Sequence, residues 1–134
     1  MTDNLHARIR IEFVTATIEM ARASQCSKRH AAMIVRGNRV IGAGINYTKT
    51  HPAGKRSGSR YWTYHAEVAA LSRLKKDPSK PLELPARGAV LYSLRNGIEK
   101  QSRPCADCTA KAQEKGIRLM VFVNALGRLD SERL

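Results

Sequence analysis

Cysteine is scarce: three residues among 134. That excludes a fold stapled by disulfides and fits a reducing cytoplasm. No apolar run approaches the roughly 20 residues a helix needs to cross a bilayer. The N-terminus, with Asp3 and Glu12 among short apolar stretches, lacks a signal-peptide core. A soluble chain with no membrane partner is expected. Carboxylates are missing altogether between Met20 and Ala66, a stretch that carries Arg22, Lys28, Arg29, Arg36, Arg39, Lys49, Lys55, Arg56 and Arg60. No internal repeat or low-complexity segment suggests an array or a linker.

What is present fits one domain over residues 1–134: 43% hydrophobic residues, enough to bury a core. Lys and Arg number 24 against 11 Asp and Glu, a formal charge of +13. Such a field attracts phosphate, whether of a nucleotide or of a nucleic-acid backbone, so nucleic acid is a candidate partner. The plainer alternative is a basic solvated surface.

Apolar positions recur at threes and fours from Leu5 to Ala23, through Ile9, Phe13, Val14, Thr17, Ile18 and Ala21, which predicts an amphipathic helix. His30–Arg36 and Arg39–Ala43 read as strands joined by a Gly37-Asn38 turn. Gly44 to Tyr61 reads as a loop. Helical spacing returns from His65 to Lys76, with Val68, Leu71 and Leu74 facing inward and Thr63 as N-cap. Ala89–Leu94 is a strand. Cys105–Lys115 is a helix, with Pro104 tolerated in its first turn and Gly116 ending it, and Ile117–Val123 is an apolar strand. This order predicts an α/β sandwich around a mixed sheet, its last two strands parallel through a helical crossover.

Two short motifs carry the chemistry: His65-Ala66-Glu67, and, 40 residues after His65, Cys105 within Pro104-Cys105-Ala106-Asp107-Cys108. Each alone is weak, since a C-x-x-C can be a redox pair or half of a structural zinc site. Together, one imidazole and two thiolates leave the fourth position of a tetrahedral zinc open for water. A closed structural site would instead need a fourth ligand from Cys26, His6, His30 or His51. Glu67 is then an unliganded carboxylate beside the metal, free to move protons. Both motifs fall at predicted helix N-termini, where free N–H groups and the helix dipole favour thiolates.

H-x-E paired with P-C-x-x-C is the signature of zinc nucleobase deaminases, and the chain resembles the cytidine/deoxycytidylate deaminase superfamily. Residues 23–35, with Ser24, Cys26 and an apolar strand, followed by residues 39–46 ending Gly44-Ile45-Asn46, are similar to the first two strands of deoxycytidylate-type members. The resemblance covers roughly residues 20–125. It implies a three-layer α/β/α sandwich of the cytidine deaminase type, bound Zn2+, and a homo-oligomer. It also implies that Asn46 bonds the substrate sugar and that the Ala66 backbone contacts the pyrimidine ring. Lys49, Lys55, Arg56 and Arg60 are candidates for a 5′-phosphate, and Tyr61, Trp62 and Tyr64 for either stacking on a base or plain packing. The chain departs from the family in having no cysteine between Tyr47 and Arg60, so a second zinc could draw only on Cys26, His30 and His51. Ser102-Arg103-Pro104 also differs from the lead-in of transfer-RNA adenosine deaminases.

The expected activity is hydrolytic deamination of a cytosine-containing nucleotide, deoxycytidylate or a relative, to its uracil counterpart. The alternatives are a deaminase editing cytosine or adenine in single-stranded DNA or RNA, and a non-catalytic zinc-stabilised nucleic-acid-binding module.

Overall fold

Strand β1, His30–Arg36, alternates between two apolar clusters, Ala32 and Ile34 joining one and Met33 and Val35 the other. A strand with period-2 side chains and apolar residues in both phases must be covered on both faces. The computed structural model, which describes residues 9–49, 62–97 and 100–134, and the backbone alone for residues 48, 49 and 62–64, places β1 inside a five-stranded sheet. Its order is β2 (Arg39–Ile45), β1, β5 (Val90–Arg95), β6 (Leu119–Val123), β7 (Leu129–Arg133). Strands β5 and β6 are parallel and the other neighbours antiparallel, as the crossover predicts.

Helix α1, Ile11–Ala21, covers one face through Val14, Thr17 and Ala21. Thr17 is tolerated in that apolar contact because its hydroxyl donates to Phe13 O at 2.7 Å. The ring of Phe13 lies 5.8 Å from that of Tyr92, whose hydroxyl accepts from Arg10 N. Helices α2, Ala66–Leu71, and α3, Ala106–Glu114, belong to the opposite face, where Ala66, Ala70 and Ala112 join Leu91, Met120 and Phe122. The result is the three-layer α/β/α arrangement. Each fully buried large aliphatic side chain, such as Ile34 or Leu91, contributes about 1.5–3 kcal/mol.

Several boundaries differ from the sequence reading. Ile9 and Arg10 lie outside α1, which begins at Ile11, and the expected start at Leu5 falls outside the described residues. Helix α2 ends at Leu71, not Lys76, because the chain tightens there: Arg73 N donates to Ala70 O, Leu74 N to Leu71 O, and Ser72 Oγ to Ala69 O. Its N-cap is His65 rather than Thr63, and Val68 is only half-buried. Pro104 precedes the α3 N-cap instead of lying in the first turn. The predicted loop contains β3, Tyr47–Lys49, which pairs antiparallel with β4, Trp62–Tyr64. The Gly37 turn and the Gly116 stop are as expected, both with positive φ.

Helix α2 sits hard on β2 because two strand positions carry no side chain. A Cβ on Gly44 would stand 2.6 Å from Ala69 Cβ and 2.7 Å from Ala70 N, and one on Gly42 2.8 Å from Ala70 O. Gly44→Ala is therefore expected to destabilise the protein by about 1–3 kcal/mol through overpacking, read from urea unfolding. An unchanged midpoint would show that α2 can lift without cost.

Candidate functional site

The two helix starts meet over the end of the sheet. His65 is the extended N-cap residue of α2, with φ −70° and ψ 145°, and Cys105 is that of α3, with φ −68° and ψ 167°. The Cys105 sulfur accepts from Cys108 N at 3.4 Å, so the two-residue spacer of C-x-x-C is the N-cap to N3 interval of a helix. That interval delivers both sulfurs to one side. His65 Nδ1 lies 3.2 Å from Cys108 Sγ and 3.8 Å from Cys105 Sγ, and all three ligand atoms fall within 4.8 Å of one another. With Zn–N near 2.0 Å and Zn–S near 2.3 Å, a tetrahedral centre needs N and S about 3.5 Å apart. The observed pair brackets that value, so the donor set and its spacing fit zinc. Burial, reinforced by Glu67 and Cys105, pushes the Cys108 thiol up. A bound cation would favour the Cys108 thiolate against that burial.

No other cluster with metal-ligating geometry occurs among the described residues. A second centre from Cys26, His30 and His51 is not assembled among them, and His51, like His6, lies outside them. Cys26 is partly exposed and lines a pocket of about 500 Å³ together with His30, Asn46, His65, Glu67 and Cys105. Within that pocket two of the three donors, His65 and Cys105, share space with the Glu67 carboxylate.

Glu67, second residue of α2, is 2% exposed. Its Oε2 accepts from Ser93 Oγ at 3.2 Å, so it is held beside the metal-ligand cluster without belonging to it. Asn46 is also buried and is largely committed to the protein. Its Oδ1 accepts from Ser24 Oγ at 2.6 Å and His30 N at 3.0 Å, while Nδ2 donates to Lys28 O at 2.6 Å. One Nδ2 proton is left for a ligand. Ala66 is fully buried at the start of α2.

The phosphate candidates Lys55, Arg56 and Arg60 lie outside the described residues, as do the side chains of Lys49, Trp62 and Tyr64 and the whole of Tyr61. Among the described residues, the cations lining the pocket are Lys28, Arg95 and Arg103. Arg103 is paired with Glu132 at 2.5 Å, whereas Arg95 Nε is buried without a hydrogen-bond partner among the described residues. Sequence reasoning missed Arg95, Ser93 and the role of Ser102. Ser93 interrupts the run of residues 90–94, and a serine within such a run was the available signal.

A family model described as the cytidine and deoxycytidylate deaminase zinc-binding region matches residues 8–124. Among solved structures, cytidine deaminase from Burkholderia pseudomallei is similar with a TM-score of 0.60 and 14% identity, covering 93% of each chain. The dCMP deaminase of the cyanophage S-TIM5, in complex with dCMP and dUMP, is similar with a TM-score of 0.55 and 20% identity, over 81% of this chain and 75% of that one. These likenesses carry the fold. Curated protein sequences give no match.

Proposed function

Because the chain belongs to the cytidine and deoxycytidylate deaminase family, we propose that it hydrolyses a cytosine-containing nucleotide, deoxycytidylate or a close relative, to the uracil counterpart. The observation that carries the reading is the buried, unliganded Glu67 carboxylate sharing one pocket with His65 and Cys105. A non-catalytic zinc module has no use for that carboxylate, whose burial costs free energy.

Zinc held by His65, Cys105 and Cys108 supplies the Lewis acidity that makes water nucleophilic near neutral pH. Glu67 takes a proton from the attacking water, passes it to the ring nitrogen, and assists departure of the amino group as ammonia. The water oxygen ends on the ring carbon and the carbon–nitrogen bond breaks. The remaining Nδ2 proton of Asn46 is assigned to the sugar and the backbone at Ala66 to the pyrimidine edge. Lys28 and Arg95 supply positive charge to the pocket, which suits a substrate carrying phosphate. A homo-oligomer in a reducing cytoplasm completes this reading.

The second reading, deamination within single-stranded DNA or RNA, draws on the +13 charge. A polynucleotide enzyme tracks several phosphates and binds with a steep salt dependence, whereas a nucleotide enzyme needs one phosphate site. Ammonia release from deoxycytidine, deoxycytidylate and a cytosine-containing single strand, at low and moderate salt, separates them. Deoxycytidylate is expected to be the best substrate. Turnover of the single strand with none of the mononucleotide would replace the leading reading with the second.

A further inference from the structure

His30 is a half-buried imidazole that the zinc site does not use, and its Nε2 lies 2.7 Å from Ser93 Oγ. The sheet explains the meeting. His30, Ala32 and Ile34 point to the α2 face of β1, and Ala32 is the register partner of Ser93, which places His30 one diagonal step from that serine. We propose that His30 is a positioning residue for Glu67, acting through Ser93: its Nε2–H donates to Ser93 Oγ and so frees the serine proton for the Glu67 carboxylate. This rests on the reading of Glu67 as the proton carrier.

Counting protons supports the assignment. Ser93 has one proton and three neighbours: His30 Nε2 at 2.7 Å, Ser102 O at 3.1 Å and Glu67 Oε2 at 3.2 Å. A carbonyl and a carboxylate can only accept. If His30 carried its proton on Nδ1, the shortest contact would draw the serine proton to Nε2, and Glu67 Oε2 would face oxygen lone pairs alone. With the proton on Nε2, the serine proton is free for its two acceptors, and the Glu67 carboxylate competes for it more strongly than the Ser102 carbonyl. Ser102 cannot take over as donor to Glu67, since its hydroxyl donates to Ser93 O at 2.7 Å. Burial foremost, with Arg95 and His65, lowers the His30 pKa against the opposing pull of Glu67, so the ring is neutral near pH 7 and its tautomer is what matters.

The test combines a spectrum with kinetics. Long-range proton–nitrogen correlation on the zinc-loaded protein near neutral pH is expected to show His30 as the Nε2–H tautomer; the Nδ1–H tautomer would overturn the proposal. His30→Leu should lower kcat on the order of tenfold or more by loosening Glu67, with KM and zinc content unchanged. His30→Gln, whose amide can donate from nearly the same place, should restore most of it. Adding His30→Leu to Glu67→Gln should cost nothing further, because both changes act through one group. Normal kcat in His30→Leu, or equal losses in the Leu and Gln variants, would refute the positioning role. A fully active Glu67→Gln would instead remove the functional reading beneath it.

Discussion

Glu67→Gln is expected to keep its zinc and its melting temperature and to lose turnover by at least about a hundredfold, the scale of general acid–base catalysis. The amide matches the carboxylate in shape, and its carbonyl oxygen can still accept from Ser93, the hydrogen bond that holds the wild-type side chain. What disappears is the ability to take a proton from water and return it to the ring. Because Glu67 is buried at 2% exposure, a smaller substitution would confuse chemistry with a cavity. The measurement is kcat on the best nucleotide beside zinc content and thermal unfolding. Near-normal turnover in a zinc-loaded, folded variant would make Glu67 a structural residue.

Cys105→Ser is the second large effect, and the helix geometry makes it clean. Cys105 is the N-cap of α3 and is exposed, so serine, a preferred N-cap, keeps the cap and disturbs no core. The soft sulfur ligand alone is removed. Changes to residues that merely support metal ligands cost about 10-fold to 100-fold in affinity, and loss of a direct ligand should exceed that. Zinc content after dialysis should fall towards zero while helix content by circular dichroism holds. Retention of a full equivalent would place the metal elsewhere. The equivalent change at Cys108 is less informative, since that side chain is fully buried and serine would leave a hydroxyl in apolar surroundings.

The cluster able to hold a metal was legible in the sequence because helix N-termini turn linear spacing into geometry: two residues between cysteines span one N-cap interval. Strands β1, β5 and β6 were legible because each is a short apolar run that only a covered sheet can bury. Strand β7 was not, since Leu129–Arg133 is a polar edge strand held by its register with β6. Strands β3 and β4 are three residues each, too short for alternation to register. The link from His30 to Glu67 depends on which residue of β5 faces which residue of β1, a pairing that no single segment encodes. Asn46 was expected at the site and lines the pocket, but its commitment to Ser24, His30 and Lys28 emerges only when these segments converge on it.

The strip of glycine and alanine beneath α2 also bears on how substrate choice could be changed in the laboratory. With Gly42 and Gly44 against Ala69 and Ala70, the floor under Glu67 has no volume to trade, and libraries built there would return unfolded variants more often than new activities. The pocket mouth is built differently: Lys28, Gln101 and Arg103 stand on segments between regular elements and are exposed. Loop positions on a rigid scaffold tolerate replacement. Diversifying those three side chains while leaving the α2–β2 contact untouched is the route by which this scaffold could be retuned towards larger, smaller or differently charged substrates.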